Sequence, residues 1–250
     1  MASCRVAKTY LYGNGHRETS WHIRNTRYNR NQSAACHPEM APGKTNLQIQ
    51  EEVELRAARR AKAQIRHYVM AADLDHLLTL TFRVNLTNYD EALKARQKFL
   101  RKIGEHIPGW KAVMVPERQS RGAWHFHAAV RGFQNVELLR KLWRECTPDG
   151  EGNIHVRAPN GKAHAWKRGS LIRYLTAYIS KTLRDRELEM KGRHRYAATQ
   201  GIEWEEEEKE YFIQAGVEAI IRDFLQGAGT IETFWQPKEN PYGVGWLATW

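Results

Sequence analysis

From Leu77 to Val84 the chain alternates, with Leu78, Leu80, Phe82 and Val84 at every second position and Thr79, Thr81 and Arg83 between them. Successive side chains of a strand point to opposite faces, so this pattern predicts a β-strand with one buried and one polar face. Residues 89–106 then place Ala92, Leu93, Ala95, Phe99, Leu100 and Ile103 at helical spacing before Pro108-Gly109. A strand followed by a helix is the first unit that the pattern predicts.

Residues 110–118 and 125–133 read as two further strands, joined by the polar turn Gln119-Ser120-Arg121-Gly122 into an antiparallel hairpin. A helix over 136–146, a turn at Thr147-Pro148-Asp149-Gly150 and a short strand over 153–157 follow. Residues 158–169 form a basic loop, and 170–188 another helix. Upstream, residues 47–70 turn helical, with Glu51, Glu52 and Glu54 early and Arg59, Arg60 and Arg66 late, the polarity that a helix dipole favours.

Three divisions result: a basic, irregular N-terminal arm over 1–48, a central domain over 49–190, and a C-terminal helical extension with a Trp-rich tail over 191–250. The extension contains a helix over 204–225, with the run Glu205-Glu206-Glu207-Glu208 at its start. The fold class is α+β, an antiparallel sheet of about five strands with helices packed on it.

Charge narrows the function. The 250 residues carry a formal net charge of +11, which suits a polyanionic partner because bound phosphates release condensed counterions. Cys4, Cys36 and Cys146 are odd in number and widely spaced, so no disulfide framework is expected. The first twenty residues hold no continuous apolar run, and no segment approaches a membrane span, so neither a signal peptide nor a membrane partner is expected.

His125-Phe126-His127 is the one His-x-His of the chain, and on a strand both imidazoles face the same side and can hold one metal ion. With eleven histidines, chance alone gives about half an occurrence, so context must decide. Glu117 ends the preceding strand of the hairpin and folds back beside the histidines as a third ligand, leaving positions open for phosphate oxygens. Gln119 and His155 are the substitutes if the hairpin register differs.

On the 170–188 helix, at about 100° per residue, Tyr174, Tyr178 and Lys181 form one stripe, while Leu171, Ile172, Leu175 and Ile179 fill the adjoining arc. Two phenols and an amine are thus presented at the border of a buried face. Tyrosines at such borders commonly do no more than pack with a wet hydroxyl.

Taken together, these elements resemble the HUH endonuclease superfamily. The strand Leu78-Thr79-Leu80-Thr81-Phe82, the His125-Phe126-His127 strand and the helix with Tyr174, Tyr178 and Lys181 follow the order of rolling-circle replication initiators of small phages and plasmids, over roughly residues 55–190. Glu117 with Arg121-Gly122 before the histidine pair is similar to phage-type members, and the paired tyrosines to the two-tyrosine type.

The resemblance implies an RRM-like palm and a divalent ion, Mg²⁺ or Mn²⁺, on His125, His127 and Glu117. It implies a tyrosine that attacks single-stranded DNA at a replication origin, leaving a 5′-phosphotyrosyl bond and a 3′-hydroxyl primer, and an ester that allows ends to be rejoined at termination. Tyr178 is expected to act first, from its spacing to Lys181, and Tyr174 second, with Lys181 on phosphate or the leaving group. Such a protein works in the cytoplasm of a bacterial host, encoded by a phage or plasmid. The rivals are an HUH transposase or relaxase, and a non-catalytic single-stranded nucleic-acid-binding protein in which the histidines merely pack.

Remaining basic residues are candidates for DNA contact: Arg83, Arg121, Arg173 and the loop residues Lys162, Trp166, Lys167 and Arg168, where cations and an aromatic interleave. Gly43-Lys44-Thr45 resembles the end of a phosphate-binding loop, but Pro38 stands where the first Gly belongs. No nucleotide triphosphatase is expected, so helicase and polymerase are host partners. Cys36-His37 with His16 and His22 fits no common zinc spacing.

Overall fold

Residues 3–25 form a hairpin, correcting the irregular arm expected for them. In the computed structural model, which describes residues 3–25, 45–157, 167–184, 193–228, 231, 233–235 and 244–249, β1 (Ser3–Leu11) pairs antiparallel with β2 (Arg17–Asn25). Gly15, at φ 85°, closes the turn. Only weak apolar alternation marks these strands, because their hydrophobic partners come from the other end of the chain.

Residues 1–49 and 203–250 make one compact unit, and residues 50–202 another. Arm and tail, read as separate pieces, therefore belong together. Helix α1 (Asn46–Ala71) and strand β3 (His76–Thr81) open the second unit, followed by α2 (Tyr89–His106), β4 (Ala112–Arg118), β5 (Trp124–Val130), α3 (Val136–Arg144), β6 (Asn153–Arg157), α4 (Arg168–Arg184) and β7 (Ala197–Ala198). The first unit resumes with β8 (Glu205–Phe212), α5 (Gly216–Ala228), β9 (Thr233–Trp235) and β10 (Val244–Ala248).

In the first unit the sheet order is β8-β1-β2-β10-β9, and Ala7, Trp21 and Leu247 pack with Val217, Ile220 and Phe224 of α5. The glutamate run is a strand, not the start of a helix. Lys8 meets Glu206 at 2.5 Å and Arg24 meets Glu208 and Glu210 at 2.8 and 2.9 Å, so alternate acids face a row of cations that a helix would not line up.

The second unit is α+β, with an antiparallel sheet in the order β6-β3-β5-β4-β7. Leu78, Leu80, Met114, Phe126, Ala128 and Ile154 point to one side and are buried against Ala92, Phe99 and Ile103 of α2 and Leu139, Leu142 and Trp143 of α3. Asn88 caps α2, accepting from the backbone N–H of Asp90 and Glu91, and Asn135 caps α3. Trp143 Nε1 donates to the Thr81 carbonyl at 2.9 Å, fixing α3 at the point where β3 ends. The expected strand thus stops at Thr81: Phe82 stays buried, while Arg83 and Val84 are exposed in the connection.

The opposite side of the sheet positions the site. Register sets three rows across it: Leu77 with Ala129 and Val113, Thr79 with His127 and Val115, and Thr81 with His125 and Glu117. One end of this face is apolar and the other polar. Helix α4 packs on β4 and β5, with Leu171, Leu175 and Ile179 buried.

Candidate active site

The β4–β5 hairpin decides where the acid lies. Its turn closes through Gln119 N–H to the Ala123 carbonyl (2.9 Å) and Gly122 N–H to the Gln119 carbonyl (2.8 Å), with Gly122 at φ 87°, a conformation that glycine adopts without strain. This register puts Glu117 opposite His125. Its carboxylate nevertheless reaches the diagonal neighbour, Oε2 accepting from His127 Nε2 at 2.8 Å.

Around that pair the polar groups are connected. Thr79 Oγ1 lies 3.2 Å from His127 Nδ1, and Lys181 Nζ donates to Glu117 Oε1 (2.8 Å) and to the Arg118 carbonyl (3.2 Å). Burial by itself would raise the Glu117 carboxyl, but the bonds from His127 and Lys181 outweigh it and hold the group at about 2, below the ordinary 4.5. Glu117 is therefore a carboxylate throughout the neutral range.

His125 sits one position further along the same face, 6 % exposed, with Nε2 buried and without a hydrogen-bond partner. Burial first, and then the neighbouring His127, bring its imidazole down to about 4. A neutral imidazole keeps a lone pair, which is what a metal ligand requires.

Helix α4 lays both phenols over this network. The Tyr178 ring stacks on the His127 imidazole, centroids 4.2 Å apart and planes within 8°, and Tyr174 meets the same imidazole edge-on at 5.7 Å. Tyr178 Oη donates to Tyr174 Oη at 2.6 Å, and Arg157 Nη1 donates to Tyr174 Oη at 2.6 Å. Burial, then the bond to Tyr174, push the Tyr178 hydroxyl well above the usual phenol range.

Six of the expected residues thus meet at one place: Glu117, His125, His127, Tyr174, Tyr178 and Lys181. Strands alternate and helices repeat every three to four residues, so their spacing already grouped them within each element. Residues 75–183 match the family model for replication-associated protein ORF2. The replication-associated match spans β3 to α4, takes in every residue of this cluster, and supports a replication initiator. It leaves the unit of residues 1–49 and 203–250 outside. No curated protein matches the chain, and no solved structure does.

Other expected residues fall elsewhere or take other partners. Lys181 is tied to Glu117 rather than directed away from the sheet. Gln119 lies in the turn, accepting from Arg121 Nε at 3.0 Å, and His155 Nε2 lies 3.0 Å from Asn153 Nδ2. Arg83 is exposed and pairs with Glu151 at 3.3 Å, Lys167 is exposed ahead of α4, and Arg173 donates to Ser170 Oγ at 3.2 Å. Arg168 is turned to Asp73 and partly buried, which takes it out of a free DNA-contacting row. Lys162 and Trp166 lie outside the described residues, as do Cys36, His37, Gly43 and Lys44.

Sequence reasoning missed two members. Thr79 stood on the polar face of the alternating strand, and that position was its signal. Arg157 was one basic residue among several, and nothing in the pattern marked it as the partner of a tyrosine.

The donor set suits a divalent cation in kind: two imidazoles, one carboxylate, and a buried His125 nitrogen without a partner. As they stand the three do not converge, because Glu117 is engaged by His127 and Lys181. Among the described residues no group of three His, Cys, Asp or Glu side chains is arranged to hold a metal. No helix among the described residues is long and apolar enough to cross a membrane.

Proposed function

We propose that the unit of residues 50–202 nicks single-stranded DNA by tyrosine transesterification, as a replication initiator of the two-tyrosine HUH type. The single observation that carries this reading is the phenol pair of Tyr174 and Tyr178 lying on the imidazole of His127, within a network that includes Glu117 and Lys181. The replication-associated match over the same residues supports it.

In this reading a phenolic oxygen attacks the scissile phosphorus, a P–O bond forms to the tyrosine, and the P–O3′ bond breaks. The phenolic proton is given up and the departing 3′-oxygen gains one, so the products are a 5′-phosphotyrosyl end and a 3′-hydroxyl. Bond energy is conserved in the ester, which makes rejoining possible without a nucleotide cofactor. His125, His127 and Glu117 would hold Mg²⁺ or Mn²⁺ once the bond between His127 and Glu117 is exchanged for coordination. Such an ion supplies polarisation of the phosphate when bound.

Each residue has a defined task. Thr79 orients the His127 ring, Lys181 balances the charge of Glu117, and α4 keeps the phenols over the imidazole while excluding water from one side. Arg83, Arg121, Lys167 and Arg173 offer exposed cations to the DNA backbone. Host helicase and polymerase would open the duplex and extend the primer.

The test incubates the full chain with a labelled single-stranded oligonucleotide bearing an origin-like hairpin and Mn²⁺. A covalent protein–DNA band that is lost in the Tyr174→Phe/Tyr178→Phe double variant supports the reading. Tight binding with no covalent band under any divalent metal overturns it in favour of a single-strand binding protein.

A further inference from the structure

Two phenols at the same imidazole do not have equivalent oxygens. Tyr174 Oη receives two hydrogen bonds, from Arg157 Nη1 and from Tyr178 Oη, both at 2.6 Å. Arg157 also places its guanidinium carbon 4.9 Å from the centroid of the Tyr174 ring. The Tyr178 oxygen is the donor in its bond, and its ring is held flat on His127.

We propose that Tyr174 is the first nucleophile and that Arg157, at the end of β6, is the positioning residue that makes it so. The inference rests on the nicking reading above and goes beyond it by ordering the two tyrosines and by assigning a role to a residue outside the histidine and tyrosine elements.

The argument is one of charge. An attacking phenol concentrates negative charge on its oxygen before the bond to phosphorus forms, and donors already aimed at that oxygen stabilise it without reorganisation. Tyr174 has such donors, one of them cationic, and a hydrogen bond to a charged group is worth about 1.5–3 kcal/mol. Tyr178 must first withdraw its hydroxyl from Tyr174 and then find a donor of its own.

Spacing to Lys181 favoured Tyr178 in the sequence, but Lys181 Nζ is bonded to Glu117 and to the Arg118 carbonyl. That spacing therefore serves the carboxylate rather than a phenol. Arg157 reaches Tyr174 because β6 pairs with β3 so that Asn153, His155 and Arg157 share the face of Thr79 and Thr81. The strand ends just where the guanidinium meets the first phenol of α4.

The chemistry balances as before: Tyr174 Oη bonds to phosphorus, the 3′-oxygen leaves and is protonated, and Tyr178 retains its proton for a later transfer. In the reverse reaction the Tyr174 oxygen is the leaving group, and the same guanidinium stabilises it.

The experiment uses the full chain, Mn²⁺ and the hairpin oligonucleotide, with the DNA-linked tyrosine identified by peptide mass spectrometry. Expected is a link on Tyr174 in the wild type, a first-cleavage rate about 10- to 100-fold lower in Arg157→Ala, an intermediate rate in Arg157→Lys, and partial recovery of Arg157→Ala by added guanidinium ion. Arg157 is exposed at a strand end, so its variants should melt like the wild type. A wild-type link on Tyr178, or an Arg157→Ala variant unchanged in rate and in the residue linked, overturns the inference and leaves the nicking reading standing. A slow variant that guanidinium does not restore and that melts lower shows a structural loss, and likewise overturns it. No link in the wild type overturns both.

Discussion

The two faces of the sheet β6-β3-β5-β4-β7 are built from the same strands, yet they obey different rules. Toward α2 and α3, Leu78, Leu80, Met114 and Phe126 are almost fully buried among other apolar side chains. Toward α4, Thr79, Thr81, Glu117, His125 and His127 are covered to nearly the same depth but are polar. A buried polar group must be partnered or be waiting for a partner, and this face shows both cases: His127 is bonded on both nitrogens, whereas His125 Nε2 is not bonded at all. The first face makes the fold, and the second makes use of its rigidity.

Truncations should separate the faces. Phe126→Ala removes a ring in contact with Phe82 and Trp143 and should cost about 3–5 kcal/mol in urea unfolding. His127→Ala, one residue away, should cost only about 1 kcal/mol in the same measurement while lowering covalent DNA linkage by at least about 100-fold. Equal losses of stability would erase the distinction between the faces.

Acid should act on the polar face alone. In the metal-free protein the Glu117 carboxyl stands at about 2 against an ordinary 4.5. Its folded value is depressed, so the stability it contributes is complete above the unfolded value and is lost as pH falls from about 4.5 toward 2. That contribution is on the order of 2–3 kcal/mol. Glu117→Gln should flatten the stability profile in this window, measured by unfolding at a series of pH values, and an unchanged profile would remove the carboxylate from the network.

A subtler change sharpens the comparison. Thr79→Val keeps the shape of the side chain but deletes the hydroxyl beside His127 Nδ1. Stability should fall by about 1 kcal/mol or less, and linkage rate by about three- to tenfold. Smallest of all, Arg83→Ala removes an exposed cation whose pair with Glu151 adds little. Melting should not change, while the slope of log affinity against log salt should fall by about one for single-stranded DNA.

Much of this was legible beforehand, for a physical reason. Alternation along β3 and β5 sorted residues by face, and helical spacing put Tyr174, Tyr178 and Lys181 on one stripe, because both periods are properties of the backbone. Contacts between elements were harder to read. The hairpin turn brought Glu117 within reach of the histidines, but the diagonal bond to His127 and the capture of Lys181 depend on side-chain length and on where α4 docks. Arg157 and Tyr174 meet across an intervening stretch of sequence that no periodicity spans.

The first unit was misread for a related reason. Strand β8 carries acids at nearly every position, so neither period is visible in it. Its structure comes from Lys8 and Arg24, some two hundred residues earlier in the chain. Long-range pairing of this kind leaves almost no local trace.

The central claim is that the polar face beneath α4 is a centre of covalent chemistry on DNA. Mapping the peptide linked to a single-stranded oligonucleotide after reaction in Mn²⁺ tests it most directly. The account predicts that the label falls within residues 168–184, on Tyr174 or Tyr178. Attachment at any residue outside that helix, or cleaved DNA with no protein joined to it, would contradict the account.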